Sequence, residues 1–107
     1  MQCIVWYSLL KQEAKARIDR FLESLEQQES FPHGIKVKDG SRTWIGDQMK
    51  FSFKVKKGIA WATIFGTMSV ADKSVVISAE IPWAVRQMVR EDKIQAVITE
   101  KTNELLS

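Results

Sequence analysis

Residues 49–55 read Met-Lys-Phe-Ser-Phe-Lys-Val, a strict alternation of apolar and polar side chains. Successive strand side chains point to opposite faces, so the pattern requires a strand with one face on a core and the other outside. The outer face carries lysine. Residues 36–57 hold seven of the chain's 16 Lys/Arg (Lys36, Lys38, Arg42, Lys50, Lys54, Lys56, Lys57) but only Asp39 and Asp47 of its 13 Asp/Glu, leaving nine basic and eleven acidic residues elsewhere. The formal charge of +3 therefore comes from predicted sheet.

A chain of 107 residues, 45% hydrophobic and 27% charged, has the means to bury a core without metal or disulfide staples, and reads as one domain over residues 1–107. One cysteine, Cys3, has no partner within the chain. That fits a reducing cytoplasm and points to a packed apolar side chain. The opening residues lack a basic segment, and their apolar run stops at Tyr7, too short for a secretory leader. No run approaches the roughly 18 apolar residues of a membrane span. A cytoplasmic protein, soluble or peripheral to a surface, is expected.

Ile4, Val5, Trp6 and Tyr7 form a short β-branched and aromatic run that reads as a first strand. Ser8 stands where a helix N-cap belongs, and Leu10, Ala14, Ile18, Phe21, Leu22 and Leu25 then recur on one helical face. Glu13 with Arg17, and Lys15 with Asp19, have the spacing of surface pairs on that helix. Residues 27–34 read as a polar link in which Pro32 and Gly34 stop the helix. Asp39-Gly40, Gly46-Asp47 and Lys57-Gly58 are hairpin signals between apolar runs, and residues 71–73 read as a turn between strands at 59–70 and 74–81. The pattern leaves open whether residues 35–46 make two short strands or one strand bent by a bulge. Pro82 suits a first helical position, and Trp83, Ala84, Met88, Val89, Ile94, Val97, Ile98, Lys101 and Leu105 trace a closing helix. Glu91-Asp92-Lys93 reads as a surface patch or a local irregularity on it.

The expected fold is an α+β two-layer sandwich in the order β-α-β-β-β-β-α: an antiparallel meander of four to five strands with two helices on one face. Phe21, Leu25, Phe51, Phe53, Met88, Val89, Val97 and Ile98 are expected in one core. The segment from Ile59 to Val70 poses a question, because both of its faces are apolar. Ile59, Trp61 and Phe65 alternate with Ala60, Ala62, Ile64 and Met68, and one set must lie on the face away from the helices.

The usual catalytic constellations are missing from the sequence. His33 and Cys3 are the only residues of their types, too few for a zinc site or a Cys/His nucleophile pair. There is no phosphate loop and no dinucleotide fingerprint, and nothing in the spacing brings Asp47 and Glu80 together for acid/base work. No catalytic residue, metal or cofactor is expected, and the chain does not read as an enzyme. In Trp44-Ile45-Gly46-Asp47, Gly and Asp suit a tight turn and Trp44 suits the edge of a core.

Trp44-x-Gly46-Asp47-x-Met49-x-Phe51, then Ile64-Phe-Gly66-Thr-Met-Ser-Val70, Val75-Val-Ile77 and Ile81-Pro-Trp83, resembles the polyhydroxyalkanoic acid system (granule-region) proteins, small bacterial domains encoded near polyester-storage genes. The resemblance runs from about Ile4 to Leu106. It departs from the family where a His-x-Leu at the end of the first strand is replaced by Tyr7-Ser8-Leu9, and in a longer linker and first hairpin. The resemblance implies association with polyester granules or their proteins, without an established catalytic role.

The leading expectation is thus a noncatalytic binding or structural domain at a granule surface or on a granule protein, with Lys50, Lys54, Lys56, Trp61 and Phe65 as its interaction face. Apolar burial would supply affinity and lysine long-range attraction. The alternatives are an acyl-chain site between sheet and helices, a homodimeric interaction module in which a second copy covers the open face, and, less favoured, nucleic-acid binding, for which the charge is mild and the RNA-recognition signature absent. The lysines also read simply as a solubilising face.

Overall fold

The computed structural model describes residues 1–24 and 36–107, with Met88 described by its backbone alone. Five strands and three helices follow in the order β1 (Gln2–Trp6), α1 (Lys11–Ser24), β2 (Lys36–Ile45), β3 (Gln48–Lys57), β4 (Ala60–Val70), β5 (Ser74–Glu80), α2 (Trp83–Met88) and α3 (Glu91–Leu106). The strands form one antiparallel sheet in the order β1-β5-β4-β3-β2. Strands β2 to β5 are the expected meander, and β1 returns to the edge beside β5. The helices cover one face, as the α+β reading requires.

Residues 36–45 are one strand. The register slips between Lys38 and Ser41, and Asp39 there has a φ of 53°. Asp39-Gly40 therefore makes a bulge rather than the hairpin its composition suggested, because Asp, like Gly, tolerates the left-handed region. The β2–β3 and β3–β4 hairpin turns each use a left-handed glycine, Gly46 and Gly58, both at φ 61°.

The core face takes one parity of each strand. Met49, Phe51 and Val55 on β3 meet Ala62, Ile64 and Met68 on β4. Val75, Ile77 and Ala79 on β5 and Cys3 and Val5 on β1 extend the layer. Gly66 shares this parity because Phe51, its cross-strand partner, lays its ring over it: a Cβ at Gly66 would stand 2.5 Å from Phe51 Cζ and 2.6 Å from the Ser78 carbonyl oxygen. The Phe51 and Phe53 rings stack, with centroids 5.9 Å apart.

Helix α1 buries Ala14 and Ile18. It begins at Lys11, and Leu10 rather than Ser8 supplies the carbonyl for its first backbone hydrogen bond, from Ala14. Leu10, placed on the apolar stripe by spacing, is exposed. Arg17 makes the expected ion pair with Glu13 at 2.9 Å and also donates to the carbonyls of Leu105 and Ser107, capping the end of α3 with a cation where the helix dipole favours one.

The closing helix is two helices. Val89 is extended, at φ −145° and ψ 139°, and Arg90 leads into α3. An unbroken helix in phase with Val85 would turn Asp92, Ala96 and Thr99 toward the sheet; the break resets the phase so that Ile94, Ile98, Thr102 and Leu106 face it. Pro82 sits one position earlier than expected, as an extended residue before α2, and Trp83 is exposed rather than part of the stripe.

Phe51 and Val89 are buried as expected, whereas Phe21, Phe53, Val97 and Ile98 are half-buried. Leu25 and the Met88 side chain lie outside the described residues. The half-buried residues are so because they line a cleft of about 180 Å³ between the sheet and the helices.

Candidate functional site

The face of the sheet away from the helices is set by register. Lys36 stands opposite Lys56, and Lys56 opposite Trp61; one step along, Lys38 stands opposite Lys54, and Lys54 opposite Thr63. The next rows run Ser41, Ser52, Phe65, Glu80 and then Thr43, Lys50, Thr67, Ser78, Gln2. All of these project from the open face, because cross-strand partners in an antiparallel sheet share a side.

The ambiguity of β4 is thereby resolved. Ala62, Ile64 and Met68 lie under the helices, while Trp61 and Phe65 are exposed, at 59% and 57%. The Lys54 ammonium lies 4.8 Å from the Trp61 ring centroid, close enough for a cation–π contact, and 3.4 Å from Asp39 Oδ2 at the bulge. Five lysines, Lys36, Lys38, Lys50, Lys54 and Lys56, thus share the open face with Trp61 and Phe65. Toward the other end of this face Ile4, Trp6 and Ile45 are also exposed, separated from Phe65 by the row that holds Thr43, Lys50, Thr67, Ser78 and Gln2.

Two of the facing pairs are lysine on lysine. Like charges directly opposite on a sheet destabilise it, and two exposed aromatics add apolar surface in water. The lysine pairing does not follow from the sequence without the β2–β3 register, which depends on the bulge at Asp39, whereas the side taken by Trp61 and Phe65 is set by the β3–β4 register.

Trp44, Gly46 and Asp47 do something else. Asp19 of α1 accepts from Arg42 through Nε at 2.6 Å and through Nη2 at 3.2 Å, and from the Trp44 indole N–H at 3.0 Å. Lys15 donates to the Gly46 carbonyl at 2.9 Å and to Asp47 at 3.2 Å, with its ammonium 5.1 Å from the Trp44 ring centroid. Lys11 donates to Asp47 at 2.9 Å. The three motif residues clamp α1 to the β2–β3 turn, which leaves them on the helix side, apart from the interaction face. The anticipated Lys15–Asp19 pair is replaced by these longer-range partners.

The electrostatics follow. Hydrogen bonds from Arg42 and Trp44 hold the Asp19 carboxyl below the usual range, and those from Lys11 and Lys15 do the same for Asp47. The Arg42 and Lys11 cations are correspondingly raised. Burial pushes the Tyr7 phenol up, and its hydroxyl donates to the Ala71 carbonyl.

Among the described residues no three His, Cys, Asp or Glu side chains converge on one point, and Cys3 is buried. His33 lies outside the described residues. Asp47 and Glu80 are held apart, Asp47 at the β2–β3 turn beside Val70 and Glu80 at the end of β5 opposite Phe65, midway along β4. No helix among the described residues is long and apolar enough to cross a membrane. Comparison with protein-family models, with curated proteins and with solved structures returned no match.

Proposed function

We propose that the chain is a noncatalytic binding domain that attaches through the open face of its sheet to an apolar surface bearing negative charge. The resemblance to granule-region proteins supports the polyester storage granule of a bacterial cytoplasm, or a protein coating it, as that surface. The observation behind this reading is the juxtaposition of two facing lysine pairs, Lys36/Lys56 and Lys38/Lys54, with the exposed Trp61 and Phe65. A charged, partly apolar surface relieves both costs at once: anions offset the lysine repulsion, and contact removes aromatic area from water. The aromatics would anchor, while the lysines would speed encounter and confer salt sensitivity.

The test is partition of the purified protein onto isolated granules across a range of salt concentrations. Replacing Lys50, Lys54 and Lys56 together with Gln is expected to weaken attachment and flatten its salt dependence, with no loss of thermal stability, since relief of the two facing lysine pairs offsets the lost Lys54 contacts with Trp61 and Asp39. Trp61→Ala is expected to weaken attachment at every salt concentration. If the triple variant partitions like the parent throughout, the lysines are a solubilising face. A concentration-dependent dimer whose formation Trp61→Ala abolishes would assign the face to a second copy instead.

A further inference from the structure

We propose a second binding site, independent of the sheet's open face: the cleft beneath the helices takes an unbranched aliphatic monocarboxylate. The cleft runs between α1, represented by Phe21 and Leu22, and α3, with Phe53 and Val55 of the sheet as part of its floor. Among its described lining residues the only polar side chains are Thr102, Lys93 and Lys101. The Thr102 hydroxyl donates back to the Ile98 carbonyl at 2.7 Å, so it is already satisfied. Among the described residues the interior therefore offers apolar contact and no free directional hydrogen bond, which suits a hydrocarbon tail.

The head group is indicated by the rim. Lys93, Val97 and Lys101 are spaced four apart and form one row along α3, above the deeper row of Ile94, Ile98 and Thr102. Both lysines are exposed at their level on the helix. Among the described residues Lys101 is paired only with Glu104, at 4.0 Å, and Lys93 makes no ion pair. Two cations about 12 Å apart along the helix, at the edge of an apolar slot, complement an anion at the end of a chain. A cationic amphiphile of the same length would meet repulsion there.

The test is calorimetric titration of the full chain with dodecanoate below its micelle concentration, with dodecyltrimethylammonium as the control of opposite charge. Saturable one-to-one binding of dodecanoate is expected, at least tenfold tighter than the control. Lys93→Gln combined with Lys101→Gln should weaken dodecanoate by roughly tenfold, the joint effect of two exposed charges, without touching the core. Ile98→Trp, which fills the slot, should abolish binding; circular dichroism confirms that this variant folds. The Lys50/Lys54/Lys56→Gln variant should bind dodecanoate as the parent does, which separates this site from the proposed granule face. Absence of saturable binding, equal affinity for the cationic control, or loss in the open-face variant with none in the rim variant would each overturn the proposal.

Discussion

Asp19 holds Arg42 in a two-pronged ion pair, at 2.6 and 3.2 Å, and the same carboxylate accepts the Trp44 indole N–H. The arrangement joins the middle of α1 to the strand beside it. Because the Asp19 carboxyl is held below its usual range, its contribution is fully present above the unfolded value and lost as pH falls through the folded one. The parent is therefore expected to lose stability below about pH 4. Asp19→Asn should cost about 1 kcal/mol at neutral pH, the scale for a partly exposed pair with good fork geometry, and should make the acid-side decline shallower. Urea unfolding at a series of pH values checks both.

Gly66 has no side chain because Phe51 lies where one would be. Gly66→Ala forces a Cβ against both that ring and the Ser78 carbonyl. The ring can shift but the backbone cannot, so a loss of about 1–3 kcal/mol is expected, the usual range for overpacking. Gly66→Ala combined with Phe51→Leu should recover part of it in denaturant unfolding, because the ring is then gone.

The alternation in β3 was enough to divide core from open face, and the left-handed glycines at 46 and 58 were enough to place two of the turns. What the sequence left hidden depends on long-range geometry. The bulge at Asp39 decides which lysines of β2 face which lysines of β3, and a composition that equally suits a hairpin gives no means of choosing. The break at Val89 is likewise a matter of helix phase, settled only once the sheet beneath demands Ile94 and Ile98. Trp44 and Asp47 were legible as turn and edge residues, but their ligands Lys11, Lys15 and Asp19 are more than 20 residues away in sequence and carry only the ordinary look of a charged helix face.

Phe53 lines the cleft rather than the closed core, and is half-buried. A fully buried phenylalanine costs about 3–5 kcal/mol on truncation. Phe53→Ala is expected to cost about 1.5–2.5 kcal/mol, because roughly half of the transfer term is absent and the open slot leaves no sealed cavity. Phe51→Ala, by contrast, should reach the full range. Equal losses for the two in urea unfolding would mean that the cleft is closed in solution.

The facing pair Lys36 and Lys56 gives a prediction in which stability and attachment move in opposite directions. Opposite charges directly across a sheet stabilise it by about 0.2–1 kcal/mol, and like charges destabilise by a similar amount. Lys36→Glu converts the second case into the first without touching the core, since both side chains are exposed. The variant is expected to melt a few degrees higher than the parent. If the open face binds an anionic surface, the same change removes two units of positive charge from that face and should weaken attachment to granules at low salt, with the difference shrinking as salt rises. A variant that is both more stable and less attached identifies the lysine pair as a strained anion site. A variant whose melting temperature falls would show that Lys36 and Lys56 do not face one another, and the register at the bulge would have to be reassigned.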